Sequence, residues 1–174
     1  AMDSVKLNKE GVAPIKPELD KIGAIKSKTE IYPLIVEMQK NGMYPYFIFY
    51  VSADDMNSNE NMVHTMQGGL GMGERDYYLE NDAQTKEIRD KYQQHVGKMF
   101  RLAGYDEATA GKAVKAVMNI ETRLARLARS QVELRDPHAN YNKKTVESLQ
   151  KEYPCFAWDV FLSTAGLKNL KEIN

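Results

Sequence analysis

The pattern of apolar and polar positions divides the chain into short segments of different period. From Asp3 to Ile15 there is little periodicity. Pro17 stands where a first helical residue needs no N–H, and Leu19, Ile22 and Ile25 follow as an apolar stripe, predicting one short helix. Ser27-Lys28-Thr29-Glu30 reads as a capping box for a second helix, with Ile31, Leu34, Ile35 and Met38 on one face and Asn41-Gly42 as its stop. Pro33 places the start near Thr29 or Glu30, so that its ring falls in the first turn.

From Tyr46 the character changes. Phe47-Ile48-Phe49-Tyr50-Val51 is aromatic and β-branched, too short for a helix, and bounded by Pro45 and Asp54-Asp55, which predicts a strand. Asp54 to Asn61 is dense in turn-forming residues, and Met62 to Met66 alternates apolar and polar, so the two strands form an antiparallel hairpin over about 46–66. Beyond it, Ile88, Tyr92, His95, Val96, Met99 and Leu102 recur at helical spacing before Gly104. Asp106 caps a second long helix with Ala110, Ala113, Val114, Val117, Ile120, Leu124 and Leu127 on one side, and the two helices pair as an antiparallel hairpin. Thr145 caps a helix reaching Lys151 with Leu149 inward, Pro154 breaks it, and a last helix from about Ala157 to Ala165 buries Trp158, Phe161 and Leu162 before Gly166. The tail to Asn174 carries no finishing signal. The expected fold is mostly α: a single multi-helix lobe over 1–174 with one small β-hairpin.

Charge narrows the partners. Lys plus Arg and Asp plus Glu each total 24, so the net charge is zero, and neither nucleic acid nor a polybasic membrane contact is expected. The basic positions Lys112, Lys115, Arg123, Arg126 and Arg129 are interspersed with Glu107 and Glu121, which reads as a solvated helix face. No apolar run approaches the roughly 20 residues of a membrane span, and Ala1-Met2-Asp3-Ser4 lacks a secretory signature. One cysteine, Cys155, allows no intrachain disulfide framework; between Pro154 and Phe156 it reads as a small buried hydrophobe.

The densest candidate chemistry lies in Gly68-Gly69-Leu70-Gly71-Met72-Gly73-Glu74-Arg75-Asp76-Tyr77-Tyr78. Glycines running into paired tyrosines make a packed loop, since a flexible spacer has no use for two large rings. A phosphate cradle is disfavoured: the spacing matches no nucleotide-binding loop, no lysine is present, and a hairpin precedes it. Arg75 and Asp76 are adjacent and are expected to bond separate partners, the guanidinium locking a turn, with Tyr77 and Tyr78 anchoring opposite sides. A conformational lock is the simpler role for these residues, and contact with a peptide the alternative. Asp54-Asp55 is read as turn chemistry rather than a calcium or acid/base pair. His64 and His138 are expected on the surface and His95 on an apolar helical stripe, with no His-Glu pair and no i, i+4 histidines for a metal.

The same loop resembles the Gly-Leu-Gly-x-x-x-Arg-Asp-Tyr-Tyr signature in the non-catalytic half of neprilysin-like zinc metallopeptidases, the family that includes endothelin-converting enzymes. Val12-Ala13-Pro14, Lys16 to Ile22, Asp54-Asp55-Met56-Asn57-Ser58, Gln67, Arg135-Asp136-Pro137, Tyr141-Asn142 and Phe156-Ala157-Trp158 are similar to further blocks of that family in the same order. The likeness spans nearly the whole chain and is strongest over 54–80 and 131–162. It implies a piece of a longer extracytoplasmic endopeptidase, of bacterial type given the single cysteine. In that enzyme zinc would sit in a separate lobe, on a His-Glu-x-x-His helix and a downstream glutamate, and activate water. The partners implied are that catalytic lobe of the same parent chain and peptide substrates, enclosed between the lobes; this chain itself would hold no cofactor and perform no catalysis. The rival expectation is a free-standing helical module that captures peptides or proteins without any catalytic half. A reading frame that continues into the zinc helix separates the first from the second.

Overall fold

A computed structural model describes residues 3–174; Ala1 and Met2, where the sequence was read for a secretory signal, lie outside the described residues. The stretch that shows no periodicity nevertheless forms helix α1 (Ser4–Glu10), because Asp3 accepts from the N–H groups of Val5 and Lys6 at 3.1 and 3.0 Å and so caps it. None of its residues is buried, which is why no apolar stripe announces it. Helix α2 (Lys16–Gly23) starts one residue before the expected position, with Pro17 in its first turn. At the next start the capping box gives way to other bonds: the Ser27 side chain caps no backbone N–H and instead donates through Oγ to Glu30 at 3.0 Å, while Glu30 accepts from the backbone of Lys26 at 2.9 Å. A 3-10 turn at Lys28–Glu30 leads into α3 (Ile31–Lys40), where Pro33 sits in the first turn.

Strands β1 (Phe47–Asp54) and β2 (Asn57–Gln67) form the expected antiparallel hairpin, in register from Phe47 opposite Gln67 to Ala53 opposite Asn61. They run further than the sequence implies. The turn is confined to Asp55 and Met56, with Asp54 accepting from the N–H of Met56 at 2.9 Å, so Asn57 to Asn61 are strand, not loop. A single turn, α4 (Asp76–Leu79), then precedes the long helices α5 (Ala83–Leu102) and α6 (Glu107–Leu127), joined by a short turn at Gly104 and packed as a helical hairpin. Asp82 and Asp106 cap them by accepting from Thr85 and Thr109. After α7 (Pro137–Asn140), capped by Asp136, come strand β3 (Lys144–Thr145), α8 (Val146–Glu152) with Thr145 as cap, and α9 (Trp158–Thr164).

The tail is structured. Strand β4 (Glu172–Ile173) pairs with β3, Ile173 is buried, and Asn174 docks on β2, donating to Val63 and accepting from Thr65. The main core gathers Ile35, Val36, Phe161 and Leu162 with Phe47, Phe49 and Phe156, and continues through Phe49, Leu167 and Leu170 into a second cluster at Val63, Leu149 and Ile173. Phe49 meets Phe161 edge-on, with ring centroids 5.3 Å apart.

Three placements overturn the sequence reading. His64 is buried, stacked on Tyr50 and bonded through Nε2 to Ala53 O and through Nδ1 to Asn174, because the tail covers what would have been an exposed strand. His95 faces solvent, since the buried side of α5 runs through Val96 and Gly97 instead. Cys155 is exposed, as its carbonyl is tied to Tyr32 and the chain turns outward after Pro154.

Candidate functional site

The glycine-rich loop is built on backbone that other residues rarely adopt. Gly69 has φ +76° and lies so close to the turn before β1 that a Cβ would meet the Cα and N of Tyr46 at 2.8 Å. Tyr46 itself has φ +69°, the one non-glycine residue in the left-handed region among those described. The two positions lie back to back. Gly71 has a different reason: a Cβ there would sit 1.9 Å from the hydroxyl of Tyr92 and 3.1 Å from Glu121, so only a residue without one lets the loop pass over these side chains.

What the loop crosses is a junction of three elements on one carboxylate. Tyr78, on α4 and buried, donates to Glu121 Oε2 at 2.7 Å; Tyr92, on α5, donates to Oε1 at 3.0 Å. The Tyr78 oxygen also accepts from the N–H of Met72 at 2.9 Å, stitching the loop to the same centre. Burial, more than the neighbouring carboxylate, pushes the Tyr92 phenol from its ordinary 10.0 up to about 12, and it raises Tyr78 as well. Both therefore remain donors.

Glu121 is the residue the sequence reading misplaced. Hydrophobicity assigns it to a solvated face, whereas α6 is rotated so that Ala110, Ala125 and Glu121 face α4 and α5, leaving Ile120 and Leu127 exposed. Tyr92 at helical spacing from Val96 was the one signal that a polar partner was needed inside.

The remaining candidates fall around this junction. Arg75 donates from its guanidinium to Ala128 O at 2.7 Å, closing the C-terminal end of α6, and its Nε lies 3.8 Å from Asp76, so beside the separate partner expected for it the adjacent pair also makes a loose ion contact. Tyr77 is half-buried and its carbonyl accepts from Arg89 at 3.1 Å. Gly68 and Leu70 complete the path, and Gln67 pairs both ways with the backbone of Arg129 at 2.9 and 2.8 Å. Between the turn at Tyr44-Pro45-Tyr46, the loop and α6 there is an open groove of 440 Å³, floored by Gly69, Leu70, Gly71 and Glu121 and walled by Val117, Ile120 and Leu124.

Asp54 lies apart from it. It is buried and accepts from Met56, Tyr141 and Lys143; the Met56 N–H chiefly, then Tyr141 and Lys143, hold its carboxyl below the usual range against the opposing effect of burial. Lys143 reaches Glu172 at 3.0 Å, so this cluster fastens the hairpin end to β4. For a metal the residues do not fit: among the described residues no three His, Cys, Asp or Glu side chains converge, and both ring nitrogens of His64 are taken. None of the described helices is long and apolar enough to cross a membrane.

Residues 1–174 match the N-terminal part of Peptidase family M13. Endothelin-converting enzyme 1 of Cavia porcellus is 38% identical over 121 residues, 69% of this chain and 16% of that protein, and its Homo sapiens counterpart is 37% identical over 122 residues. Among solved structures, the Mycobacterium tuberculosis zinc metalloprotease Zmp1 in complex with an inhibitor superposes with TM-score 0.87 at 28% identity, over 96% of this chain and 26% of that one. Zmp1 in its open state gives 0.88 at 28% identity. The chain thus spans about a sixth of the length of the curated relatives it matches and about a quarter of the solved ones.

Proposed function

This chain belongs to Peptidase family M13, and on that premise we propose that it is part of the helical, substrate-enclosing lobe of an extracytoplasmic zinc endopeptidase that cleaves oligopeptides. The enclosing lobe selects; the chemistry is carried by the rest of the parent polypeptide. There a zinc ion would supply a Lewis acid and an activated water, and no step of that reaction is assigned to residues of this chain.

The observation that supports this division is that key side chains of the signature loop are engaged inside the chain. Arg75 holds the end of α6, Tyr78 bonds Glu121 and Met72, and Gln67 bonds Arg129, which suits a rigid wall. Gly69, Leu70 and Gly71 form one edge of the open groove, with Gly68 in the cavity beside it, so the loop acts as a conformational lock beside a surface that a peptide or the catalytic lobe can reach.

The test uses the full-length polypeptide and this chain side by side. Cleavage of unstructured peptides of about ten residues is expected from the full-length polypeptide, abolished by a chelator and restored by zinc, with none from residues 1–174 alone. Chelator-sensitive cleavage by the isolated chain, or none by the full-length polypeptide, would refute it.

A further inference from the structure

The groove beside the glycine loop has a composition that the lock alone does not explain. Its floor contains a carboxylate, Glu121, whose two oxygens each accept one phenol, and Glu121 takes part in none of the ion pairs among the described residues. Two neutral donors do not cancel a unit negative charge, and a half-buried carboxylate attracts a cation more strongly than one in bulk water. The mouth is framed by aromatic residues: Tyr44 is 47% exposed and Tyr46 42%.

Tyr46 adds an independent observation. A bulky residue at φ +69° is strained, and glycine would occupy that position freely. The surrounding structure holds the strain in place, since the backbone of Tyr46 is pressed against Gly69, itself left-handed at φ +76°. Core burial does not account for the ring, because 42% of the residue stays exposed. An aromatic ring kept at an energetic disadvantage at the mouth of a groove with an anionic floor is suited to flank a cation, which binds over ring faces and at a carboxylate.

We propose that the groove formed by Tyr44, Tyr46, Gly71, Ile120 and Glu121 is a subsite for a basic side chain, arginine or lysine, of the enclosed peptide. Its aliphatic stem lies against Ile120 and Leu124 while the charged head reaches Glu121 between the phenol-bonded oxygens. Glycine at position 71 keeps the carboxylate uncrowded, since a Cβ there would collide with Tyr92 and come within 3.1 Å of Glu121. The inference rests on the enclosure reading above, but it specifies which peptides are preferred.

The experiment measures peptide affinity on the chelator-treated full-length polypeptide, where nothing is cleaved, with paired peptides that differ only in arginine or uncharged, isosteric citrulline at one scanned position. At one position the arginine peptide is expected to bind about tenfold tighter. Glu121→Gln should bring that ratio near one. Because Glu121 also holds two phenols, Tyr46→Gly is the second variant: it relieves strain, keeps the fold and should lower the same ratio. An arginine-to-citrulline ratio that stays unchanged in both folded variants overturns the proposal, and so does an equal loss for both peptides, which would assign the groove to contact with the catalytic lobe. If peptides are cleaved with no arginine preference, only the subsite falls; if none is bound or cleaved, the enclosure reading falls with it.

Discussion

Around Phe161, the hairpin β1–β2 and helices α3 and α9 meet through rings and aliphatic side chains, with ring centroids about 5 to 6 Å apart. Around Glu121, helices α4, α5 and α6 meet through two phenols on one carboxylate, beneath a loop that tolerates no Cβ at Gly71. Burial in the first region is additive and non-directional, so each side chain contributes in proportion to the area it hides. The second depends on donors and acceptors in fixed positions, where removing one partner strands another. The first region explains why the chain folds, and the second why it folds with this particular groove at its surface.

The largest expected effect breaks the apolar side. Phe161 is 1% exposed and lies against four other rings and α3, so Phe161→Ala should lower stability by about 3–5 kcal/mol in chemical denaturation. Gly71→Ala strikes the polar side by adding an atom rather than deleting one; its methyl would displace the Tyr92 hydroxyl from Glu121, and a loss of about 1–3 kcal/mol is expected, relieved in part by combining it with Tyr92→Phe. Were Gly71→Ala as stable as the parent, the close approach described here would be wrong.

A pH titration sharpens the contrast further. The folded Tyr92 phenol is raised from 10.0 to about 12 and Tyr78 is raised too, so the folded chain holds these protons more tightly than the unfolded one. Their stabilisation is complete below pH 10 and is lost as pH climbs from 10 towards 12. Stability measured across that window should fall in the parent and fall less in Tyr92→Phe; an identical decline in both would remove the junction from the explanation. At the small end, Cys155→Ser at an exposed site should change stability by no more than about 0.5 kcal/mol, and a larger loss would place the thiol in the core after all.

The same contrast decides what could be read from sequence. An aromatic and β-branched run located β1, period-2 alternation located β2, and the capping residues Asp106 and Thr145 marked real helix starts, because these signals are local. The phase of α6 was not legible: Ile120 and Leu127 look like core and are exposed, while Glu121 looks solvated and is half-buried, and only the positions of Tyr78 and Tyr92 in space reveal why. His64 was misjudged for a similar reason, since the tail that buries it arrives from Asn174, far along the chain. The glycine loop was recognisable as packed, yet its partners, Ala128 and Glu121, were not.

The claim that this chain encloses rather than reacts is tested most directly by substrate length. In the full-length polypeptide, kcat/KM should be measured for one cleavable sequence presented first as a short peptide and then within unfolded polypeptides of increasing length. The account predicts a steep fall once the chain no longer fits between closed lobes; cleavage that is independent of length would contradict it.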